Sequence, residues 1–152
     1  MTTEGNSPEI LRRDAIFLDL PASSKAEAIE FVGGKLVEFG LVEESYVPAM
    51  KLREESFSTF LGNGVSLPHG TFEAKSAVKG TGIVVGQFRD GVDWGDDATA
   101  HLVIGLAAAN EDHVLVLSQL AEVLQDEELC EQLWTTDNAD LVYETLTAEP
   151  EE

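Results

Sequence analysis

The chain has 152 residues, 29 of them acidic and 9 basic, so its formal net charge at pH 7 is −20. A surface so poor in Lys and Arg repels nucleic acid and anionic lipid, because a protein needs cations to displace their counterions. We therefore expect no nucleic-acid partner. No apolar run approaches the ~20 residues of a membrane span, which predicts no direct membrane insertion.

Cysteine content and the N-terminus indicate the compartment. The single cysteine, Cys130, excludes an internal disulfide. The first eight residues are polar and lack the basic and apolar regions of a signal peptide. Both observations predict a cytoplasmic protein.

The acidic residues are spread through the whole chain, whereas Lys occurs only five times. They form either an ordinary solvated face or an adaptation to high salt. We favour a halophilic acidic protein, because a Debye length of ~3 Å at 1 M salt screens the self-repulsion of such a surface.

The first half of the chain alternates strand and helix patterns. Ser24 and Glu27 match a capping box, and Gly40 is a typical helix stop. In chain order the patterns predict a flexible arm, a strand, two helices, a loop and a short extended segment, over residues 1–14, 15–20, 24–39, 43–55, 57–64 and 65–67.

The second half contains two apolar strands and then helices. Asp90-Gly91 is a hairpin turn signal between strands 81–88 and 101–107, with the return beginning at Val92. The later strand is the more apolar, which predicts a central position. Three helices follow, the first capped by Asn110 or Asp112 and the others over residues 126–134 and 138–146, before an acidic disordered tail over 147–152.

Strands and helices alternate without an internal linker. We therefore predict one α/β domain over residues 15–146. Its mixed β-sheet is covered on both faces by helices, in a three-layer α/β/α arrangement.

His69 has the most informative setting of the three histidines. Pro68 holds Leu67 extended and fixes its own φ angle, while Gly70 permits a sharp departure of the chain and the close approach of another backbone. The segment presents an imidazole rigidly at a strand end. A nucleophile needs this arrangement, with one ring nitrogen as a lone pair and the other held by a hydrogen bond. A simple turn with an exposed histidine has the same pattern.

Two further residues are candidates for binding an anion. His113 lies in the first turn of a predicted helix, where N–H groups and the helix dipole favour an anion and oppose protonation of the ring. Arg53 lies at the end of a predicted helix and has a guanidinium that matches phosphate. Alternatively, His113 is a surface residue near a cap and Arg53 is a cation favoured by the dipole.

Other chemistry lacks support in the sequence. Metal-ligand spacing, nucleotide-binding glycine motifs and the Gly-x-Ser-x-Gly pattern are all missing, so we expect no metal and no cofactor. His101 opens a strand and is interpreted as structural. Cys130 lies on an apolar helical face and is interpreted as core packing.

The chain resembles enzyme IIA of the mannitol/fructose class of the sugar phosphotransferase system (PTS EIIA type 2). The resemblance covers about residues 15–146 and is most specific in Glu54, Leu61-Gly62 and Val65-Ser-Leu-Pro-His-Gly70. Ser66 departs from the Ala usual in the family. Further stretches resemble the mannitol branch in particular: residues 49–54, 68–75, 102–108 and 110–113.

The resemblance implies a mannitol-type EIIA fold and a phosphotransferase role. His69 is expected to take a phosphoryl group from phospho-HPr and pass it to enzyme IIB. Enzyme IIB then phosphorylates incoming fructose or mannitol together with the membrane permease IIC. His113 is expected to orient the phosphoryl oxygens and Arg53 to neutralise their charge.

Two alternatives stay open at this point. One is a regulatory, nitrogen-type EIIA-like protein that controls partners by its phosphorylation state. The other is a non-catalytic domain in which Pro68-His69-Gly70 is an incidental turn.

Overall fold

The computed structural model describes residues 11–21, 24–56, 58–70, 76–95, 97–107, 120 and 122–147. In these ranges the named elements run in the order β1 α1 α2 β2 β3 β4 β5 α3 α4. Their bounds are Leu11–Phe17, Lys25–Glu38, Tyr46–Ser56, Phe60–Gly62, Val65–Ser66, Gly82–Gly95, Ala98–Ala107, Glu127–Thr135 and Ala139–Thr147.

The five strands form one mixed sheet in the order β1-β4-β5-β3-β2. β1 is parallel to β4, β4 is antiparallel to β5, β5 is parallel to β3, and β3 is antiparallel to β2. The apolar strand β5 lies third of five, so its predicted central position is confirmed. The α/β class and the mixed sheet are confirmed with it.

Helices pack on both faces of the sheet. A Cβ on Gly105 of β5 would lie 2.8 Å from Val32 of α1, so backbone and helix approach closely on that face. A Cβ on Gly86 of β4 would likewise lie 3.6 Å from the Val32 side chain. Successive strand residues point to opposite faces. The next residue, Gln87, donates to the carbonyl of Leu133 in α3 at 3.0 Å, which places α3 on the opposite face.

The predicted first helix is confirmed together with its cap. Ser24 accepts the Glu27 N–H at 3.1 Å, and the Glu27 carboxylate accepts the Ser24 N–H, which completes the capping box. Gly40, just past the helix, has φ 75. The second helix, α2, begins at Tyr46 rather than near Glu43, and it contains Pro48 in its first turn.

The predicted hairpin turn at Asp90-Gly91 is wrong. β4 continues through both residues to Gly95, and its register with β5 shifts between Gln87 and Val92. Gly91 has φ 89 and allows an irregularity inside the strand, where a Cβ would lie 2.6 Å from the Thr99 side chain. The chain reverses instead between Gly95 and Ala98, which pair with each other.

Two further differences concern the strands. β1 begins at Leu11, so the predicted arm over residues 1–14 overlaps the first strand. The predicted loop over 57–64 contains the short edge strand β2. The predicted helix after Asn110 falls largely outside the described residues, as do residues 1–10 and the tail 148–152.

Candidate functional site

His69 follows β3 at the end of a buried strand segment. Val65, Ser66 and Leu67 are at most 2% exposed, whereas the His69 side chain is half-buried. Its Nδ1 lies 2.9 Å from the carbonyl oxygen of Leu67. Because a carbonyl only accepts, Nδ1 carries the proton. In the neutral ring the lone pair therefore resides on Nε2, as a nucleophilic imidazole requires.

The loop around His69 is held to the central strand. The carbonyl of Pro68 accepts the N–H of Leu106 in β5 at 2.9 Å. The N–H of Gly70 donates to the hydroxyl of Tyr46 at 2.9 Å, and this hydroxyl donates to the carbonyl of Leu106 at 3.0 Å. The residues on both sides of His69 are thus fixed to the same residue of β5.

Tyr46 reaches this position from the first turn of α2. Its side chain is buried, and burial raises the pKa of its phenol above the ordinary value of 10.0 although the Gly70 N–H opposes that shift. The phenol consequently stays protonated at neutral pH and keeps its donor role toward Leu106.

The other end of α2 holds the chain before His69. Glu54 is 5% exposed, and its carboxylate accepts the Thr59 N–H at 3.1 Å, the Thr59 hydroxyl and the Trp94 indole N–H at 2.9 Å. Lys25 forms an ion pair with it at 3.4 Å. The carbonyl of Thr59 then accepts the N–H of Leu67 at 3.0 Å.

The turn that precedes β3 is also fixed. Gly62, Asn63 and Gly64 all have positive φ, and the Asn63 amide donates to the carbonyl of Leu124 at 3.0 Å. A Cβ on Gly64 would lie 2.3 Å from the ring of Trp134. The strand that leads to His69 therefore starts from a turn whose positive φ angles favour glycine and asparagine, and position 64 also has no room for a side chain.

The structure places Arg53 half-buried in the last turn of α2, next to Glu54. One helix therefore carries Tyr46 and Glu54, which fix the His69 loop, together with Arg53. His113 lies outside the described residues, so its predicted role stays a prediction.

The other two singled-out residues have structural environments. His101 stacks on Trp134 with ring centroids 4.6 Å apart, and its Nδ1 lies 3.1 Å from the Arg89 carbonyl. Cys130 is fully buried, and its thiol donates to the Leu124 carbonyl at 3.2 Å. Burial, with a smaller contribution from Asp126, raises the pKa of the thiol to about 11. Both structural interpretations are confirmed.

Sequence reasoning does not identify Tyr46 or Thr59 and gives Glu54 no role. One signal was available in Gly70, which predicts a close approach. The group that approaches is a ring rather than a backbone, because a Cβ on Gly70 would lie 2.5 Å from Tyr46 Cε1. In the part of the chain that the structure describes, no group of three or more His, Cys, Asp or Glu side chains is arranged to hold a metal ion. The described helices include none with the length and apolarity to cross a membrane.

Comparison with known families gives one match over almost the entire chain. The family model of the phosphoenolpyruvate-dependent sugar phosphotransferase system, EIIA 2, matches residues 9–149. The match includes the His69 loop, α2 and the whole five-stranded sheet.

Curated relatives share more than two-fifths of the aligned residues. The mannitol-specific EIICBA component of Pasteurella multocida is 45% identical over 142 residues, which are 91% of this chain but 23% of that protein. The mannitol-specific enzyme IIA component of Bacillus subtilis is 42% identical over 125 residues, which are 82% of this chain and 87% of that protein. The chain thus spans about a quarter of the longer relative.

Solved structures have the same fold. Enzyme IIA in the Escherichia coli complex of IIAMtl with phosphorylated IIBMtl is 43% identical, with a TM-score of 0.85 over 90% of this chain and 96% of that one. The nitrogen regulatory protein IIA-Ntr of Neisseria meningitidis is 31% identical, with a TM-score of 0.79 over 91% and 97%.

Proposed function

Since this chain belongs to the EIIA 2 family of the phosphoenolpyruvate-dependent sugar phosphotransferase system, we propose that it is a phosphoryl carrier that works on His69. It accepts a phosphoryl group from phospho-HPr and passes it to enzyme IIB. Enzyme IIB with the permease IIC then phosphorylates the sugar during uptake. The observation that carries the proposal is the contact between His69 Nδ1 and the Leu67 carbonyl at 2.9 Å.

That contact supports Nε2 as the reacting nitrogen. With the proton on Nδ1, the Nε2 lone pair attacks phosphorus, and a new N–P bond forms as the N–P bond to the HPr imidazole breaks. The electron pair of the broken bond stays on the donor ring. His69 keeps its Nδ1 proton throughout, so acceptance from phospho-HPr and the onward transfer to enzyme IIB both use Nε2.

The barrier to such a transfer is lowered mainly by positioning and by charge stabilisation. Arg53 and His113 supply the charge stabilisation in this proposal, by binding the equatorial oxygens of the phosphoryl group. Support for Arg53 comes from its position in α2, the helix that holds the His69 loop at two points. Support for His113 is the sequence resemblance alone.

Docking of partners is proposed to use an apolar rim near the loop. Leu61 of β2 is 47% exposed, and only Leu52 is a more exposed large apolar side chain among the described residues. Phe60 beside it is half-buried, and the third candidate, Phe57, lies outside the described residues. Because the proposed donor phospho-HPr is a cytoplasmic carrier, we place this chain in the cytoplasm as well.

We propose a mannitol- or fructose-type sugar for the system in which the chain works. The curated mannitol-specific relatives from Pasteurella multocida and Bacillus subtilis are 45% and 42% identical, against 31% for the nitrogen regulatory structure. The regulatory alternative keeps phosphorylation of His69 but feeds no permease. Transfer to an enzyme IIB domain separates the two functions.

The test is incubation with enzyme I, HPr and labelled phosphoenolpyruvate. We expect stoichiometric labelling of the wild type, none of His69→Ala, and labelling of His101→Gln, whose ring lies in the structural stack on Trp134. Addition of a mannitol- or fructose-type IIB domain should then remove the label. Labelled His69→Ala would overturn the assignment of the acceptor, and failure to discharge to any such IIB domain would favour the regulatory function.

A further inference from the structure

Glu54 is a buried carboxylate for which the phosphoryl transfer proposed above provides no role. It is 5% exposed, and an ion taken out of water to this extent is costly unless other groups compensate its charge. Thr59 supplies its N–H and its hydroxyl, Trp94 its indole N–H, and Lys25 a positive charge. These groups come from three different parts of the chain.

The Thr59 side of this arrangement leads directly to His69. Thr59 is 5% exposed and is bound to both oxygens of Glu54, at 3.1 Å from its N–H. Its carbonyl accepts the Leu67 N–H at 3.0 Å, and the Leu67 carbonyl accepts the His69 Nδ1–H at 2.9 Å. Three hydrogen-bonded contacts, joined through the backbones of Thr59 and Leu67, therefore connect the carboxylate to the imidazole.

We propose that Glu54 is a positioning residue for His69, which it reaches through Thr59 and Leu67. Glu54 fixes the position of Thr59, and the Thr59 carbonyl fixes the position of the Leu67 backbone. The Leu67 carbonyl then fixes the orientation of the His69 ring and keeps the proton on Nδ1. This inference rests on the proposed function, in that His69 is the acceptor.

A purely structural role makes a different prediction. Glu54 also attaches α2 to Trp94 in β4 and to Lys25 in α1, and that attachment alone stabilises the fold. If this were all, loss of the carboxylate would lower the melting temperature and leave the tautomer of His69 and its reactivity unchanged in the folded protein.

Four variants separate the two roles. Glu54→Gln keeps the shape but loses the charge and one acceptor atom. Thr59→Val removes the hydroxyl that bonds to Glu54, and Thr59→Ser retains it. Trp94→Phe is the matched control, because it removes another donor to the same carboxylate without touching the path through Thr59.

Each variant is measured folded, at a temperature well below its melting transition. The tautomer is read from the ¹⁵N chemical shifts of the His69 ring, and the rate from phosphorylation by HPr. We expect Glu54→Gln and Thr59→Val to populate the Nε2–H tautomer and to react roughly 10- to 100-fold more slowly, which is the effect of small misplacement of a reacting group. Thr59→Ser and Trp94→Phe should keep the Nδ1–H tautomer and react within about threefold of the wild type.

Wild-type tautomer and rate in both Glu54→Gln and Thr59→Val would overturn the inference, as would equal losses in Trp94→Phe. If Glu54→Gln fails to fold, the comparison of Thr59→Val with Thr59→Ser decides. The proposed function fails separately, if His69→Ala accepts phosphate or the wild type accepts none.

Discussion

Gly70 and Tyr46 are fitted to each other. The Gly70 N–H donates to the Tyr46 hydroxyl at 2.9 Å, and a Cβ on Gly70 would lie 2.5 Å from Cε1 and 2.8 Å from Cζ of the same ring. The buried Tyr46 side chain therefore accepts the Gly70 N–H and also leaves no room for a side chain at position 70, directly after the proposed acceptor histidine.

Replacement of Gly70 by Ala should damage this fit. The methyl group must displace the ring of Tyr46, and overpacking of this kind costs about 1–3 kcal/mol. We expect a lower melting temperature and slower phosphorylation of His69. The matched control is Gly34→Ala in α1, where nothing lies within 4 Å of the new Cβ. That change should stabilise the helix by roughly 0.5–1 kcal/mol. A Gly70→Ala protein as stable and as fast as the wild type would contradict the fit.

Replacement of Tyr46 by Phe should leave the Gly70 N–H and the Leu106 carbonyl without their shared partner. Each buried group left unsatisfied costs about 1–3 kcal/mol. The pKa of Tyr46 is raised, so the folded state holds this proton more tightly than the unfolded state. This contribution to stability is complete below pH 10 and is lost as the pH rises through the folded-state pKa. Urea unfolding between pH 8 and 11 should show that alkaline loss in the wild type and a smaller one in Tyr46→Phe. Parallel pH profiles would argue against it.

Replacement of Ser66 by Ala should stabilise the protein. Ser66 is fully buried in β3, and its hydroxyl has no hydrogen-bond partner among the described residues. Removal of an unsatisfied buried hydroxyl gains about 1 kcal/mol, which corresponds to a rise in melting temperature of roughly 2–4 °C. Thr59→Val provides the contrast, because that hydroxyl is bonded to Glu54 and its loss should lower the melting temperature. A lower melting temperature in Ser66→Ala would mean that its hydroxyl makes a stabilising bond.

The thiol of Cys130 should be unreactive in the folded protein. Because its pKa is raised from 9.0 to about 11, it stays protonated at neutral pH, and only the thiolate is nucleophilic. The folded state binds this proton more tightly, so the associated stability is present below pH 9 and is lost between pH 9 and 11. Alkylation by iodoacetamide at pH 8 should be slow in buffer and fast in 8 M urea. Equal rates in the two solvents would show that the thiol is accessible.

The acidic surface should make stability depend on salt. Among the described cations, Lys25, Lys35, Lys51 and Arg89 already pair with carboxylates, which leaves a large excess of negative charge. Screening of that excess should raise the melting temperature between 0.1 and 2 M KCl. A variant in which the exposed Glu44, Glu122 and Glu144 are all replaced by Gln should show a smaller rise. A melting temperature independent of salt would exclude adaptation to high salt.

Local signals in the sequence predict local structure well in this chain. The Ser24–Glu27 box, the extended segment after Gly64 and the apolar strand before residue 108 depend on neighbours in sequence, and the structure contains all three. The pattern Asp90-Gly91 fails because a left-handed glycine serves an irregular strand as readily as a turn. Only the pairing partner distinguishes the two, and that partner is distant in sequence.

The candidate site divides in the same way. Proline and glycine around His69 mark it in the sequence, since their backbone effects are local. Tyr46 and Glu54 act on it from 23 and 15 residues away, through contacts that exist only after α2 packs beside the sheet. A buried carboxylate and an exposed one look identical in a sequence that contains 29 acidic residues.

The hydrogen bonds of Leu106 limit the motion of the His69 loop. Its N–H and its carbonyl are both used by the His69 loop, and it belongs to the strand at the middle of the sheet. Detachment of the loop breaks both of these connections to the core strand, which disfavours local opening. A His69 loop that is ordered before a partner arrives avoids the entropy loss of ordering the acceptor at each encounter.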